Sequence, residues 1–352
     1  MTAPTTQSDR ASTARQWLSE LVAGRDLSQQ AAGALLDALA TGELEPALAG
    51  GLLTALRLKG ETASEIRGFA LAMRALAKSP GIERGGDHVD IVGTGGDGSG
   101  SLNLSTGSAL LAAACGLSVV KHGNRSITSK SGSADALAAL GLPVPLDETG
   151  AVECLGATGF TFLFAPHYHP AMRHIAPIRL ALGLRTVFNI LGPLVNPAEP
   201  AYHVIGAASD EIAAVMADTL SDMPIKRAFV VHGAAGWDEA TPVGPFICYD
   251  VRPGSVQKSI RDPQAAGLEA CSEADLLGAE PESNARRLAA ALRGEDTQAH
   301  RDALALGAAL ALEVTGQAES LADGLQSAQA CLGDGGGGKL LEKIAAFAAG
   351  RE

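Results

Sequence analysis

The chain has 352 residues, of which 46% are hydrophobic, 19% charged and only 4% aromatic. That excludes a disordered protein and leaves apolar material for one large domain or two ordinary ones, with a core of Leu, Ala, Val and Ile. A formal net charge of −12 excludes a general attraction for nucleic acid or an anionic membrane, so an anionic ligand requires a local site.

The five cysteines (Cys115, Cys154, Cys248, Cys271 and Cys331) are widely spaced and odd in number, which reads as reduced, buried thiols in a cytoplasmic protein. No pair has the spacing of a zinc site. Residues 1–12 are polar, carry no apolar stretch that a signal peptide needs, and are expected to be disordered. No segment reaches the roughly 18 apolar residues of a membrane helix.

Residues 14–79 read as helices only. Ser28 is placed to cap a helix whose apolar stripe is Ala31, Leu35, Leu36 and Leu39. Pro46 opens a second, carrying Leu48, Leu52, Leu53 and Leu56. Thr62 followed by Glu65 is a capping-box pattern for a third, with Ile66, Phe69, Ala70, Met73 and Leu76 on its stripe and Pro80 beyond its end.

At about residue 85 the pattern changes. Short apolar runs begin at Val89, Leu117, Phe160, Val204 and Ala228, and helical stretches lie between them at 105–115, 133–140 and 210–220. Such alternation implies a largely parallel sheet with helices on its faces. The Arg-, Gly- and Pro-rich segment 170–200 is expected to cross back to the helical layer. Residues 282–350 read as mostly helical, with 334–339 a flexible glycine loop.

Four stretches concentrate chemistry. Gly93-Thr-Gly-Gly-Asp-Gly-Ser-Gly100 follows a strand and precedes a helix, so its backbone N–H groups and the helix N-terminus can meet a phosphate. It contains G-x-G-x-x-G, the dinucleotide pattern, but Lys121 ends the next strand where that pattern wants an acid, and no Gly-Lys-Ser/Thr follows as in a P-loop. A tight turn without ligand stays open for this stretch alone. Lys121-His-Gly-Asn-Arg-Ser-Ile-Thr-Ser129 gathers Lys121, His122 and Arg125 in an acidic chain and suits pyrophosphate. Asp238 and Glu239 form a hard-cation pair, or else two exposed loop acids. His167-Tyr-His-Pro-Ala-Met-Arg173, with Arg179, Arg185 and Asn189 beyond it, is either a binding element or ordinary salt-bridging surface.

Taken together these stretches identify a resemblance. Gly-Thr-Gly-Gly-Asp at 93–97, Asn-Leu-Ser-Thr at 103–106, Lys-His-Gly-Asn-Arg at 121–125 and Gly-Ser-Ala-Asp at 132–135 resemble the anthranilate phosphoribosyltransferase family. So do Tyr-His-Pro-Ala-Met at 168–172, Arg-Thr-Val-Phe-Asn-Ile-Leu-Gly-Pro at 185–193 and the Asp238–Glu239 pair, in family order from about residue 15 to the end. The resemblance implies an α/β fold of the nucleoside phosphorylase–phosphoribosyltransferase group, a small all-helical domain hinged to a larger α/β domain with a mostly parallel central sheet. The helical domain would cover 13–84 with a contribution from about 174–200, and the α/β domain 85–173 and 201–352.

It further implies transfer of a 5-phosphoribosyl group from phosphoribosyl pyrophosphate to the amine of anthranilate in tryptophan biosynthesis, by a homodimer. The donor would be held by Gly93, Gly96, Asp97, Ser101, Asn103, Leu104, Ser105, Thr106, Lys121, His122, Gly123, Asn124, Arg125, Ser126, Ile127, Thr128, Ser129 and Ser133. Anthranilate would meet Gly93, Asn124 and Arg179, with His122, His169, Gly192 and Pro193 along its entry. Mg2+, two ions per subunit, would sit on Ser105, Asp238 and Glu239. No residue is assigned as general base. Departures from the family pattern are Ser101 for Thr, Leu102, Thr128 for Ser, Gly307 where Asn is frequent, and a long glycine run at 335–338; none removes a charged site residue. A pyrimidine nucleoside phosphorylase and a nucleic-acid-binding relative are the alternative readings; the intact donor motifs and the net charge of −12 speak against them.

Overall fold

A computed structural model describes residues 7–125 and 131–351. The chain divides into two compact units: Met1–Lys78 with Tyr168–Val195, and Ser79–His167 with Asn196–Glu352.

The described residues of the first unit are helical, with no strand. It opens with α1 (Gln7–Val22), α2 (Gln29–Thr41), α3 (Pro46–Lys59) and α4 (Ala63–Leu76). α1 starts inside the stretch expected to be disordered, because no glycine or proline between Pro4 and Gly24 stops it; residues 1–6 lie outside the described ones. Ser28 Oγ accepts from Ala31 N at 3.1 Å, and Gly42 closes α2 at φ 71°. Thr62 Oγ1 accepts from Glu65 N at 3.3 Å while the Glu65 carboxylate accepts from Thr62 N at 2.9 Å, the reciprocal capping box. Fully buried Glu65 also accepts from Leu27 N and Lys59 Nζ, each at 2.8 Å, tying the entry to α2 and the end of α3 to the start of α4. Helix Met172–Leu182 packs on α2 and α3, and Arg74 Nε donates to Leu194 O at 2.8 Å.

The second unit is built on a seven-stranded sheet in the order β3-β2-β1-β4-β5-β6-β7. The strands are β1 (Val89–Gly93), β2 (Val119–Gly123), β3 (Phe160–Phe164), β4 (Tyr202–Gly206), β5 (Arg227–His232), β6 (Phe246–Arg252) and β7 (Ser255–Arg261). The first five pair in parallel and the last two antiparallel. The β1–β5 strands are largely buried, as strands covered by helices on both faces must be. The chain runs outward from β1 to β3 and returns to lay β4 beside β1. The β1/β4 junction is therefore a topological switch point, where the carboxyl ends of the strands leave a crevice.

Several features differ from expectation. The β6–β7 hairpin was not legible as apolar runs; it turns at Pro253-Gly254, with Gly254 at φ 69°, and most of β7 is exposed. The glycine run near the C-terminus is a helix start, not a flexible loop: Leu321–Gly333 ends, Gly335 reverses the chain at φ 72°, and Gly336–Ala349 is helical. A Cβ on Gly337 would lie 2.2 Å from Leu292 O and one on Gly336 2.5 Å from Cys331 Sγ, so these glycines permit close packing. Gly307 has a like reason, since its Cβ would meet Ser108 Oγ at 2.2 Å. All five cysteines are free; Cys154 and Cys248 are buried, whereas Cys115, Cys271 and Cys331 are half-buried, short of the burial expected. Among the described residues, no helix is long and apolar enough to cross a membrane.

Candidate active site

The glycine loop leaves the carboxyl end of β1 and feeds α5 (Leu104–Ala114). Gly95, Gly96, Gly98 and Gly100 all have positive φ, between 62° and 76°, which is the backbone freedom that loop requires. The loop following β5 carries Asp238 and Glu239 across to it. Gly95 N donates to Asp238 Oδ2 at 2.6 Å, and Asp238 N donates to Asp97 Oδ2 at 3.2 Å. Ser105 N, in the first turn of α5, donates to Glu239 Oε1 at 2.8 Å, and Ser101 Oγ donates to Glu239 Oε2 at 3.2 Å. Glycines make this approach possible. A Cβ on Gly206 would fall 1.5 Å from Asp238 O, one on Gly233 1.9 Å from Glu239 O, and one on Gly93 2.3 Å from Asp238 Oδ2.

These carboxylates are not exposed loop acids. Asp238 is buried, and burial together with the neighbouring charge of Asp97 pushes its carboxyl up to about 7. Burial and the charge of Asp238 push Glu239 up to about 8. Two crowded, desolvated carboxylates beside a serine hydroxyl are hard oxygen ligands that a dication would stabilise as anions. Among the described residues no group of three or more His, Cys, Asp or Glu side chains forms a self-sufficient metal cage. The donor set therefore fits an ion that shares its coordination with phosphate oxygens and water, as Mg2+ does.

Lys121 is expected to end the second strand with His122 and Gly123 beyond it, whereas β2 runs on through both. Lys121 is fully buried, donates to Ile91 O, and reaches Ser105 Oγ at 3.3 Å. Burial pushes its ammonium down to about 8, against the pull of Asp90, Glu239 and Asp238. Behind it lies a buried polar group that the motifs did not flag. Asp90 accepts from Asn196 Nδ2 at 2.9 Å and His122 N at 3.3 Å, and burial, opposed by Lys121, pushes it up to about 6. Asn196 Nδ2 also donates to Val120 O at 2.8 Å.

Asn124 and Arg125 are exposed beyond β2. Arg125 pairs with Asp135 at 3.1 Å, and Asn124 O accepts from Ser133 Oγ at 3.1 Å. A Cβ on Gly123 would meet Ser133 Oγ at 2.4 Å. Ser126, Ile127, Thr128 and Ser129 lie outside the described residues. Leu104 and Thr106 are buried in the first turn of α5, and Asn103 precedes it, bonded to Ser131 and Asn284. Gly96 lies in the loop between Gly95 and Asp97.

The remaining acceptor candidates lie in the helical unit. His169 is buried, and burial pushes its imidazole down to about 4, so it is neutral at pH 7. Arg179 is half-buried with its guanidinium 5.5 Å from the centre of the Phe188 ring, and burial lowers its pKa. Pro193 is buried and Gly192 exposed.

Comparison with known proteins bears on the whole chain. Residues 85–337 match the glycosyl transferase family, a/b domain, and residues 15–77 the glycosyl transferase family, helical bundle domain. The chain is 43% identical over 332 residues to the anthranilate phosphoribosyltransferase of a Shewanella species, covering 93% of this chain and 95% of that one. It is 42% identical over 337 residues to that of Chloroflexus aggregans, covering 96% and 98%. Among solved structures, anthranilate phosphoribosyltransferase from Thermus thermophilus superposes with a TM-score of 0.87 at 42% identity, covering 95% of this chain and 99% of that one. The Saccharomyces cerevisiae enzyme in complex with PRPP and Mg superposes with a TM-score of 0.85 at 26% identity, covering 96% and 98%.

Proposed function

We infer the roles of the site residues from one premise: this chain belongs to the anthranilate phosphoribosyltransferase family. The enzyme transfers the 5-phosphoribosyl group of phosphoribosyl pyrophosphate to the amine of anthranilate, releasing pyrophosphate, in tryptophan biosynthesis. One observation carries the assignment of the site: Asp238 and Glu239 are braced by Gly95 N and Ser105 N at the mouth of a glycine loop and a helix N-terminus.

The donor site then comprises Gly93, Gly96, Asp97, Ser101, the 103–106 segment, the 121–129 segment and Ser133. Asp238, Glu239 and Ser105 would hold Mg2+, two ions per subunit, and the metal would supply charge neutralisation for the leaving pyrophosphate. The backbone amides of the glycine loop and the N-terminus of α5 stabilise the donor's phosphates, with Lys121 supporting Ser105 from beneath. As the anomeric C–O bond breaks, positive charge grows on the ribose ring, an oxocarbenium-like state. The aryl amine attacks that carbon and afterwards releases a proton. It is already neutral at pH 7, so it needs placement more than deprotonation, and no residue is assigned as general base. Arg179 pairs with the anthranilate carboxylate and Asn124 hydrogen-bonds it, while Gly93, His122, His169, Gly192 and Pro193 border the acceptor.

The enzyme is further proposed to be a cytoplasmic homodimer joined through its helical units. Support comes from the resemblance together with an apolar groove on that unit, lined by Leu18, Leu21, Leu182 and the exposed Val22 and Leu58.

The decay of anthranilate fluorescence with phosphoribosyl pyrophosphate and Mg2+ tests the metal site. Asp238→Asn with Glu239→Gln should lower turnover at least about 100-fold. Near-normal rates in that double variant would remove the pair from the metal site, and decay that persists with a chelator would remove the metal from the reaction.

A further inference from the structure

Asn284 lies in the first turn of helix Pro281–Leu292, far in sequence from any donor motif, and is 2% exposed. The segment leading to it runs along the end of the glycine loop: Leu102 N donates to Leu276 O at 2.9 Å and Gly278 N to Gly100 O at 2.8 Å. Its side chain then completes a chain of amides. Ala279 N donates to Asn284 Oδ1 at 2.6 Å; Asn284 Nδ2 donates to Asn103 Oδ1 at 3.0 Å; Asn103 Nδ2 donates to Ser131 O at 3.0 Å. Ser131 Oγ adds a second bond to Asn103 Oδ1 at 3.1 Å.

The direction of this relay is forced at both ends. Ala279 offers a backbone N–H, which only donates, and Ser131 a backbone carbonyl, which only accepts. Each intervening amide therefore has one orientation that satisfies its neighbours. Asn103 Oδ1 has both lone pairs occupied, and one Nδ2 proton is spent on Ser131 O. Among the described residues no acceptor takes the other Nδ2 proton. Asn103 is thus presented as a hydrogen-bond donor, the polarity an anionic ligand requires.

We propose that Asn284 is a positioning residue for the phosphoribosyl donor: it sets the amide of Asn103 so that one Nδ2 proton is kept for the donor's oxygens. This rests on the reading of Asn103 as a donor-binding residue. Asn284 touches no substrate itself. It acts through Asn103, and through Ser131 it also fixes the chain just after the 121–129 segment.

The test is steady-state kinetics on Asn103→Ala, Asn284→Asp, Asn284→Leu and the double variant Asn103→Ala/Asn284→Asp, with thermal unfolding run alongside. Asn284→Asp keeps an acceptor for Ala279 N but removes the donor to Asn103, so the helix start stays tied while the amide loses its orientation. Asn284→Leu, near-isosteric and uncharged, covers the case in which a buried carboxylate prevents folding. Asn103→Ala and Asn284→Asp should each raise the KM for phosphoribosyl pyrophosphate about tenfold, with kcat and the anthranilate KM within about twofold of the parent. The double variant should be no worse than Asn103→Ala alone, because both remove the same contact. A raised donor KM in Asn103→Ala with an unchanged one in the folded Asn284 variants overturns the proposal and leaves the donor-site reading intact, as do multiplicative effects in the double variant. An unchanged donor KM in Asn103→Ala removes Asn103 from the donor site, and the proposal falls with it. General loosening by the Asn284 variants would instead move kcat and the anthranilate KM as well.

Discussion

Asp238 and Glu239 illustrate what burial adds to a pair of letters. In sequence they are adjacent acids in a glycine-containing loop, and an exposed turn accounts for them equally well. In the fold they are desolvated, held by two backbone N–H groups, and pushed up to about 7 and about 8. Arg179, proposed for the acceptor, is a similar case. Its guanidinium is half-buried against Phe188 and, among the described residues, forms no ion pair, which suits a group that pairs with a substrate carboxylate. Arg179→Ala should raise the anthranilate KM about tenfold or more while leaving the donor KM near the parent value; equal rises in both would argue against carboxylate pairing. The motif residues were legible because their types are chemically unusual in an acidic, alanine-rich chain. Asp90, Asn196 and Asn284 were not, since a single buried Asp or Asn carries no local signature until its partners on other elements are known.

Elements with strong local signals formed where the sequence placed them. Ser28, Pro46 and the Thr62–Glu65 box start their helices, and the apolar runs at 89, 160, 204 and 228 lie in strands. The second apolar run is offset: β2 continues through Lys121, His122 and Gly123, because the strand pairs with Phe162, Leu163 and Phe164 of β3 at those positions. Polar residues in a buried strand defeat a reading based on apolar runs, and only the pairing reveals it. β7 escaped for the complementary reason, as an exposed edge strand with Lys258 and Arg261 has no apolar pattern. The glycine run at 335–338 misled because glycine signals flexibility and close contact alike. Gly337→Ala separates the two: a flexible loop would gain from alanine, whereas the packed helix should lose about 2 kcal/mol as the new Cβ meets Leu292 O. Urea unfolding of the two proteins decides the sign.

At the scale of the whole molecule, folding holds several groups in the less charged form. Burial pushes His169 down to about 4, and burial lowers His300 and His88 as well. An imidazole with a folded pKa below its unfolded value of about 6.5 contributes stability that is fully present above pH 6.5 and is lost as pH falls toward 4. For His169 the difference between about 4 and the ordinary value of about 6.5 corresponds to about 3 kcal/mol. Asp90, with its pKa raised to about 6, runs the other way in the same window, so the comparison must be between proteins that differ only at residue 169. His169→Asn should shrink the drop in melting temperature between pH 7 and pH 4.5; an unchanged drop would mean that the imidazole titrates in the folded protein as it does in the unfolded chain. The two-unit division, with Tyr168–Val195 grouped with the first helices, is likewise a property of the whole chain.

The sequence by itself determined the class of fold, the helical character of the first part, the glycine loop after a strand, and the family, because each depends on residue type and near spacing. Tertiary structure alone decided that Lys121 lies buried in a strand, that the acidic pair is desolvated against the loop and α5, that glycines 206 and 233 make room for it, and that Asn284 completes an amide relay to Asn103. Burial, close backbone approach and hydrogen-bond saturation depend on atoms that are distant along the chain, and they exist only once the strands and helices have been brought together.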